Sequence, residues 1–178
     1  DRMLQDGPAV FIPDKYDDNG KWMDGWESRR RRGPGHDFAV VKLAVPGRIL
    51  GFDVDTSHFT GNYPPAVSIE GARVQGDPDA STKWTDILQH SPMGPSAHHY
   101  FECGSQEIWS HVRIHIFPDG GVARLRVYGE PEFDRKAAGG KEVDLASSLL
   151  GGRVVAFSNA HYGNLNGMLA PGKAENMG

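Results

Sequence analysis

Short runs of strand-forming residues, separated by glycine and proline, recur along the chain and restrict it to an all-β fold. The strongest runs are 38–44, 48–54, 66–74, 110–117 and 122–129, and weaker ones are 84–88, 99–103 and 153–157. The turn Pro46-Gly47 is expected to separate the first two runs. Many short strands with regular turn signals are typical of a β-sandwich or a β-barrel.

Composition narrows the class of protein further. The 178 residues include 38% hydrophobic and 24% charged side chains, which is enough apolar material for a core. Nineteen basic and 23 acidic residues give a formal net charge of −4, which argues against a nucleic-acid-binding protein. No stretch approaches the roughly 18 apolar residues of a membrane span. One cysteine excludes an intramolecular disulfide framework, so the expected location is cytoplasmic.

Residues 110–129 are predicted to form a β-hairpin around the turn 118–121. Alternation gives each strand one apolar and one polar face. The polar faces carry His111, Arg113, His115, Arg124, Arg126 and Tyr128. In this hairpin Arg113 faces Arg126, and two like charges directly opposite one another call for an anion nearby. That anion is either a carboxylate of a neighbouring strand or a bound ligand.

Segment 21–32 has the densest polar chemistry, with two tryptophans, two acidic residues and four consecutive arginines. Asp24 and Glu27 are candidates for acid–base catalysis, and His36 beside Asp37 forms a candidate tuned pair. Loops on a rigid β scaffold commonly carry functional sites. The alternatives are a solvated charged loop for the arginines and a turn with a strand-start cap for the His-Asp pair.

The sequence provides little support for a metal or a cofactor. Asp53 and Asp55 share a strand face and His58 follows them, so these three residue types are conceivable metal ligands. No His-x-x-His, Cys-x-x-Cys or EF-hand spacing accompanies them. Phosphate-loop, dinucleotide-binding and nucleophile-elbow patterns are absent as well. No cofactor is therefore predicted, and a divalent metal is possible but unsupported by ligand spacing.

The end of the chain repeats its beginning. Arg-Met-Leu (2–4) followed by Gly-Pro (7–8) is echoed by Gly-Met-Leu (167–169) followed by Pro-Gly (171–172). The echo predicts two domains: a first repeat over 1–142 that lacks its opening segment, and the truncated opening segment of a second repeat over 143–178. A natural protein of this kind is expected to be roughly twice as long.

Four motifs together resemble the allantoicase family. They are Gly-Lys-Trp-Met-Asp-Gly-Trp-Glu-Ser-Arg-Arg (20–30), Gly-His-Asp (35–37), Asp-Thr-Ser-His-Phe-Thr-Gly-Asn-Tyr-Pro (55–64) and His-Val-Arg-Ile-His-Ile-Phe-Pro-Asp-Gly-Gly-Val-Ala-Arg-Leu-Arg-Val-Tyr-Gly (111–129). The combination is long, ordered and spread over most of 20–129. The segment 143–178 resembles the opening of that family's second repeat.

The resemblance implies a fold and an activity. Each repeat of the family is a jelly-roll β-sandwich similar to galactose-binding and discoidin-type modules, and the subunits form homo-oligomers. The implied enzyme is an allantoicase, a hydrolase acting on C–N bonds in linear amidines. It converts allantoate and water to ureidoglycolate and urea, in the purine degradation that passes through uric acid and allantoin. The implied partner is a small anionic substrate, with no nucleic acid and no membrane.

The substrate's chemistry assigns roles to the residues of the four motifs. A guanidinium fork suits the carboxylate of allantoate. Departure of urea needs a proton on the leaving nitrogen, together with an activated water or proton removal to an imine-like intermediate. The catalytic candidates are Asp24 or Glu27 as acid, and His36 as base with Asp37 orienting it. The substrate-binding candidates are Arg29, Arg30, Arg113 and Arg126 for the carboxylate, Asn62 and Tyr128 for the ureido groups, and Asp55 and His111 as further contacts.

A different class of function is the alternative. Segments 110–118 and 124–129 are also similar to the last strands of discoidin-type modules, which bind a carbohydrate or a protein without catalysis. Fold alone does not decide between the two. The motifs at 24–30 and 55–62 favour the enzyme, because a plain binding sandwich has no need of them.

Overall fold

The computed structural model describes residues 2–18 and 20–132, together with 144, 146–148, 152–156, 158 and 168–169. It confirms the predicted all-β class. A 3₁₀-helix, Arg2–Leu4, precedes the strands. The strands are β1 Tyr16–Asp17, β2 Gly20–Lys21, β3 Trp26–Glu27, β4 Asp37–Asp55, β5 Ala66–Ala72, β6 Thr85–Pro92, β7 His98–Glu102, β8 Ile108–Phe117, β9 Gly121–Val122 and β10 Arg124–Pro131.

The long strand β4 belongs to both layers of the β-sandwich. Its first part pairs with β8, which continues through β5 to β6, and this row forms the first layer. Its second part pairs with β10 along one edge and with β7 along the other, and these three strands form the second layer. All pairings are antiparallel, and the register with β8 shifts between Lys42 and Gly47, after which Gly47 and Arg48 pair with both β8 and β10.

Alternating side chains build the core between the layers. In β8, Val112, Ile114 and Ile116 are fully buried, whereas the intervening Arg113 and His115 are half-buried on the opposite face. Phe52 and Val54 of β4 come from the second layer and belong to the same apolar cluster. The predicted alternation is therefore confirmed over 112–117, whereas Ser110 and His111 are both buried and do not follow it. It leaves the polar face of β8 available for a site.

Three details of the sequence-based prediction are wrong. Runs 38–44 and 48–54 form the one strand β4, because the Pro46-Gly47 turn is a register shift within it. Strands β8 and β10 do not form a hairpin: each pairs with β4, and the intervening β9 pairs with β3. Residues 153–156 are described and are not a strand.

The boundary proposed between a first repeat and a second repeat stays a prediction. Most of segment 133–178, including almost all of the predicted opening of a second repeat, lies outside the described residues. No helix within the described residues is long and apolar enough to cross a membrane.

Candidate active site

Three segments that are distant in the sequence converge on one group of loops. Strand β3 pairs with β9, which brings the Asp-Gly-Trp-Glu motif against the Pro-Asp-Gly-Gly turn. The amide of Ser28 donates to the carbonyl of Gly120 at 3.0 Å. The amide of Gly121 donates to the carbonyl of Asn62 at 2.8 Å. Backbone hydrogen bonds therefore join the loops that carry three of the four motifs.

Two glycines permit this close approach. Gly25 has a φ of +142°, and a Cβ there would lie 2.4 Å from the carbonyl oxygen of Val122. A Cβ on Gly121 would lie 1.9 Å from the ring of Phe59. A side chain at either position would push the loops apart. Close packing around the site thus explains Gly25 and Gly121.

Arg31 anchors the arginine-rich loop. Its amide donates to Asp119 Oδ2 at 2.7 Å, and its guanidinium donates to the carboxylate of Asp37 and to the carbonyl of His36 (3.3 Å). The hydrogen bonds from Arg31 and Ser28 lower the pKa of Asp37. Asp37 is therefore an anion that holds the loop. The prediction that Asp37 orients His36 is wrong, because no hydrogen bond joins the two side chains.

A cavity of about 650 Å³ opens between this loop and the start of β4. We call it the arginine pocket, and it is lined by Trp26, Ser28, Arg29, Arg30, Arg31, Arg32, Gly33, His36, Asp37 and Phe38. Arg29, Arg30 and Arg32 are exposed and form no ion pair with any residue in the described part of the chain. Three uncompensated guanidinium groups around one cavity form a site for a small anion.

His36 connects the arginine pocket to the polar face of the first layer. Its Nε2 lies 2.8 Å from Nδ1 of His115, and Nε2 of His115 lies 2.6 Å from Oε2 of Glu70. We call these three residues the histidine relay. The ring of Phe117 packs against His36, with their centroids 4.5 Å apart. The relay reaches from a β5 carboxylate to a histidine that lines the pocket.

Electrostatics keep the two ends of the relay in different charge states. Burial lowers the pKa of His36, and the neighbouring His115 and Arg31 lower it further. Burial tends to raise the pKa of Glu70, but the hydrogen bonds from His115 and Arg113 outweigh it and lower that pKa. At neutral pH His36 is therefore a neutral imidazole, and Glu70 is a carboxylate.

The structure corrects the prediction that Arg113 and Arg126 share an unneutralised pair. Strand β4 lies between β8 and β10, with Arg113 opposite Val40 and Arg126 opposite Asp53. Nε of Arg113 donates to Glu70 Oε2 at 2.6 Å, and Nη2 of Arg113 forms an ion pair with the same oxygen at 2.6 Å. Arg126 donates to the carbonyls of Asp6 (2.9 Å) and Gly7 (3.2 Å). A neighbouring carboxylate thus neutralises Arg113, and the N-terminal segment binds Arg126.

Asp24 is a second correction. Its carboxylate is buried against the guanidinium of Arg124 at 2.6 Å, and it accepts from the amide of Val10 at 3.0 Å. Burial would raise the pKa of Asp24, but the hydrogen bonds from Arg124 and Val10 lower it overall. An ionised, buried carboxylate has no proton to donate at neutral pH, so Asp24 does not suit the role of acid and instead ties the N-terminal segment to β10.

Glu27 and Asn62 are hydrogen-bonded to one another and do not line the arginine pocket. Glu27 is exposed, lies in the chain between the lining residues Trp26 and Ser28, and its Oε1 accepts from Nδ2 of Asn62 at 2.6 Å. The hydrogen bond joins segments 20–30 and 55–64. Glu27 is the predicted acid that is not held in a buried ion pair.

The remaining predicted residues of the second layer lie elsewhere. Asp55 is buried opposite Arg124 on β10, and Tyr128 of β10 is exposed opposite Gly51. None of these residues lines the arginine pocket. Asp55 accepts from the amide of Ser57 at 2.7 Å. The structure thus separates Asp55, Arg126 and Tyr128 from the group around His36.

His58 forms no hydrogen bond with Asp53 or Asp55, the two β4 carboxylates considered with it as metal ligands. Asp53 instead accepts from Nδ1 of His98, 2.9 Å from its Oδ2, and this hydrogen bond raises the pKa of His98. His58 Nε2 lies 3.2 Å from the carbonyl oxygen of Ala9. Within the described ranges, no three His, Cys, Asp or Glu side chains come together to hold a metal ion.

His111 is buried and does not reach a ligand site. Its relative exposure is 1%, its Nδ1 lies 2.9 Å from Ser110 Oγ, and its Nε2 has no hydrogen-bond partner among the described residues. Burial lowers the pKa of His111, with a further contribution from Lys42 that Asp77 opposes. The prediction that His111 contacts substrate does not fit this burial.

Burial of His111 leads us to predict a pH dependence of the free energy of unfolding. Because its pKa is lower in the folded than in the unfolded chain, the unfolded chain binds the proton first as the pH falls below about 6.5. We expect the free energy of unfolding to fall there, by up to ~1.4 kcal/mol per pH unit from this residue. His111→Asn retains a polar partner for Ser110 and removes the titration. Urea unfolding at several pH values between about 5 and 7.5 measures the free energy of unfolding against pH. This dependence should be shallower in the variant, and an equal dependence in both proteins would show that His111 is not the titrating group.

Two members of the histidine relay were not predicted as site residues. Glu70 on β5 and His115 on β8 are diagonal neighbours across the two strands. Glu70 is directly opposite Arg113, and His115 is directly opposite Ser68. The alternation of β8 already placed His115 on the polar face. The sequence pattern could not predict that β5 is the neighbour of β8, because strand order is a tertiary property.

Fold and site together define a class: an antiparallel β-sandwich with a cationic pocket, at its loops, that borders a neutral histidine. Residues 1–132 match the family described as Allantoicase repeat. The chain is 60% identical over 178 residues to a probable allantoicase of Rhizobium meliloti (strain 1021), spanning 100% of this chain and 52% of that protein. It is 53% identical over 180 residues to probable allantoicase 1 of Burkholderia mallei (strain ATCC 23344), spanning 100% of this chain and 53% of that protein.

Solved structures give the same result. The crystal structure of allantoicase from Saccharomyces cerevisiae superposes with a TM-score of 0.72 at 31% identity, covering 93% of this chain and 52% of that one. Another structure of allantoicase gives a TM-score of 0.79 at 29% identity, covering 99% and 53%. The chain belongs to the allantoicase family. It spans about half the length of these relatives, 52% and 53% for the first two.

Proposed function

We propose that this protein acts in the hydrolysis of allantoate to ureidoglycolate and urea, a step of purine degradation. Family membership supports the reaction. The observation that carries the proposal is the arginine pocket, in which three exposed, unpaired guanidinium groups adjoin the neutral imidazole of His36. A small anion with a hydrolysable centre needs both a cationic cradle and a proton acceptor.

The cationic side of the pocket binds the substrate carboxylate in this proposal. Arg31 is already occupied by Asp37, so Arg29, Arg30 and Arg32 are the free donors. A guanidinium presents two parallel N–H groups that match the two oxygens of a carboxylate. Binding the carboxylate there would place the central carbon of allantoate within the same cavity as His36.

His36 is the general base in this proposal. As a neutral imidazole it accepts a proton, either from the water that attacks the central carbon or from a ureido N–H on the route to an imine-like intermediate. The departing nitrogen needs a proton so that it leaves as urea. Glu27 is our candidate donor, because it lies on the loop that carries the free arginines and is oriented by Asn62. Asp24, by contrast, is held in its ion pair with Arg124.

Substitution of the free arginines tests the binding role. Losing a charge-assisted hydrogen bond of ~1.5–3 kcal/mol corresponds to a fall in kcat/KM of about 10- to 100-fold. We expect Arg29→Ala and Arg30→Ala to raise KM for allantoate, measured as urea release against substrate concentration. Arg73→Ala is the matched control, because Arg73 is exposed and pairs with Glu132 at 2.8 Å, away from the pocket.

Three results of this assay have distinct meanings. A raised KM in the pocket variants, with the control unchanged, supports the proposal. Equal KM in all variants would remove the arginine pocket as the carboxylate site. Wild-type protein that binds allantoate but releases no urea would favour the non-catalytic binding module instead.

The location and assembly of the protein are also proposals. We propose a cytoplasmic protein, in line with its single cysteine, Cys103, which is buried as a free thiol. We propose a homo-oligomer on the family resemblance. Sedimentation analysis of the purified protein checks the assembly.

A further inference from the structure

We propose that Glu70 and His115 are positioning residues that fix the tautomer of His36, so that Nδ1 of His36 is the nitrogen that accepts the proton. This inference rests on the proposed function for its catalytic meaning. Its structural content is independent, because it is a statement about which ring nitrogen of His36 carries hydrogen. It follows from the hydrogen-bond directions along the histidine relay.

The first step fixes the direction at Glu70. Three nitrogens lie 2.6 Å from Oε2 of Glu70: Nε of Arg113 and Nε2 of His115 are hydrogen-bonded to it, and Nη2 of Arg113 forms an ion pair with it. An ionised carboxylate only accepts hydrogen bonds. Nε2 of His115 must therefore carry a hydrogen and donate it to Glu70.

The second step carries the direction to His36. In this proposal His115 is neutral, and a neutral histidine that donates from Nε2 has a lone pair on Nδ1. Nδ1 of His115 is 2.8 Å from Nε2 of His36, so the hydrogen in that bond belongs to His36. His36 is then the Nε2–H tautomer, and its Nδ1 has the free lone pair. Nδ1 of His36 makes no hydrogen bond to any residue in the described part of the chain.

Packing holds the relay in this geometry. The side chains of His115 and Glu70 are 13% and 19% exposed, so water competes weakly for their hydrogen bonds. Arg113 lies over the ring of Trp84, 4.4 Å from its centroid, which fixes the other partner of Glu70. Solvent-shielded hydrogen bonds of this kind orient a functional histidine strongly.

The relay also matters after proton transfer. When Nδ1 of His36 takes a proton from water or from a ureido nitrogen, the imidazolium keeps its Nε2–H···Nδ1 bond to His115. The new positive charge then lies two hydrogen bonds from the Glu70 carboxylate. The other charged groups that face His36 are Arg31 and Asp37, which already pair with one another. Asp37 and Glu70 each pair with an arginine, and Glu70 is the one that the relay joins to the imidazolium by hydrogen bonds.

Two substitutions at Glu70 separate tautomer control from mere packing. Glu70→Gln can keep a carbonyl oxygen where Oε2 lies, so Nε of Arg113 and Nε2 of His115 retain their acceptor. Glu70→Leu has a similar size and no acceptor. If the leucine variant unfolds because Arg113 loses its partner, the double variant Glu70→Leu with Arg113→Met removes both members of that ion pair.

The primary readout is long-range ¹H–¹⁵N NMR of the histidine rings in the full protein at neutral pH. We expect His36 to be the Nε2–H tautomer in the wild type and in Glu70→Gln, and a mixture of tautomers in the leucine variants. We also expect kcat for allantoate to fall about 10- to 100-fold in the leucine variants, with KM little changed and with substantial recovery in Glu70→Gln.

The outcomes distinguish this inference from the proposed function. A wild-type His36 protonated on Nδ1, or a tautomer unaffected by loss of Glu70, overturns the relay whatever the activity. An equal fall of kcat in the glutamine and leucine variants overturns it as well. If the wild type releases no urea from allantoate, the proposed function fails, and the NMR result still decides whether the relay sets the tautomer.

Discussion

Replacing His36 by asparagine is expected to reduce the turnover of allantoate by about 10²- to 10⁴-fold, the usual contribution of a general base. His36 borders the pocket that contains the free arginines, and it is the one relay member that lines this pocket. Asparagine keeps a polar side chain but has no nitrogen that accepts a proton near neutral pH. Because the arginines remain, KM for allantoate should change much less than kcat.

His58→Asn is the matched control for this substitution. His58 has a φ of 71°, a left-handed conformation that asparagine adopts readily, so the backbone should tolerate the change. Its Nε2 contacts the carbonyl of Ala9, away from the arginine pocket. We expect the control to turn over allantoate at the wild-type rate. A His36 variant within a few-fold of that rate would show that another group is the base.

The pH profile provides a second check on His36. Its lowered pKa arises from burial and from His115 and Arg31, so the base stays unprotonated to a lower pH than an ordinary histidine. The acidic limb of kcat/KM should therefore lie below the usual histidine value of about 6.5. This limb should be absent from the residual activity of His36→Asn.

The inner and outer faces of β8 could be predicted because alternation is a local property of a strand. Val112 and Ile114 are inside and Arg113 is outside, as the pattern requires. The hairpin prediction failed at the same place. The turn residues 118–121 favour a reversal, but the backbone of β9 pairs with β3, so the chain crosses to the other layer before β10 begins. Turn chemistry indicates a reversal and does not name the partner strand.

The candidate site was predicted in part for a similar reason. Four consecutive arginines indicate a cationic segment, and the structure places three of them free around a cavity while Arg31 pairs with Asp37. The sequence neighbour of His36 was predicted to orient it, yet the partner is His115, which is 79 positions away. Adjacent residues in an extended strand point to opposite faces, so a sequence neighbour is a poor candidate for a side-chain partner.

The ion pair between Asp24 and Arg124 carries the largest expected effect on stability. The two side chains are 6% and 4% exposed, and Nη2 of Arg124 lies 2.6 Å from Oδ2 of Asp24. Arg124 also donates to the carbonyls of Gly7 (2.8 Å) and Pro8 (3.1 Å), so the pair ties the N-terminal segment to β10. Removing one member leaves the other charge buried without its partner.

Asp24→Leu is therefore expected to lower the free energy of unfolding by about 3–5 kcal/mol. Denaturant unfolding of the purified protein measures the change. Arg73→Met, which breaks the exposed pair with Glu132, should cost at most ~1 kcal/mol and serves as the control. Combining Asp24→Leu with Arg124→Met should recover part of the loss, because no charge then remains buried. If Asp24→Leu loses no more unfolding free energy than Arg73→Met, the pair is not buried in solution.

The lowered pKa of Asp24 adds a pH test. The contribution of the ion pair to the free energy of unfolding should persist at neutral pH and vanish as the pH falls through that pKa.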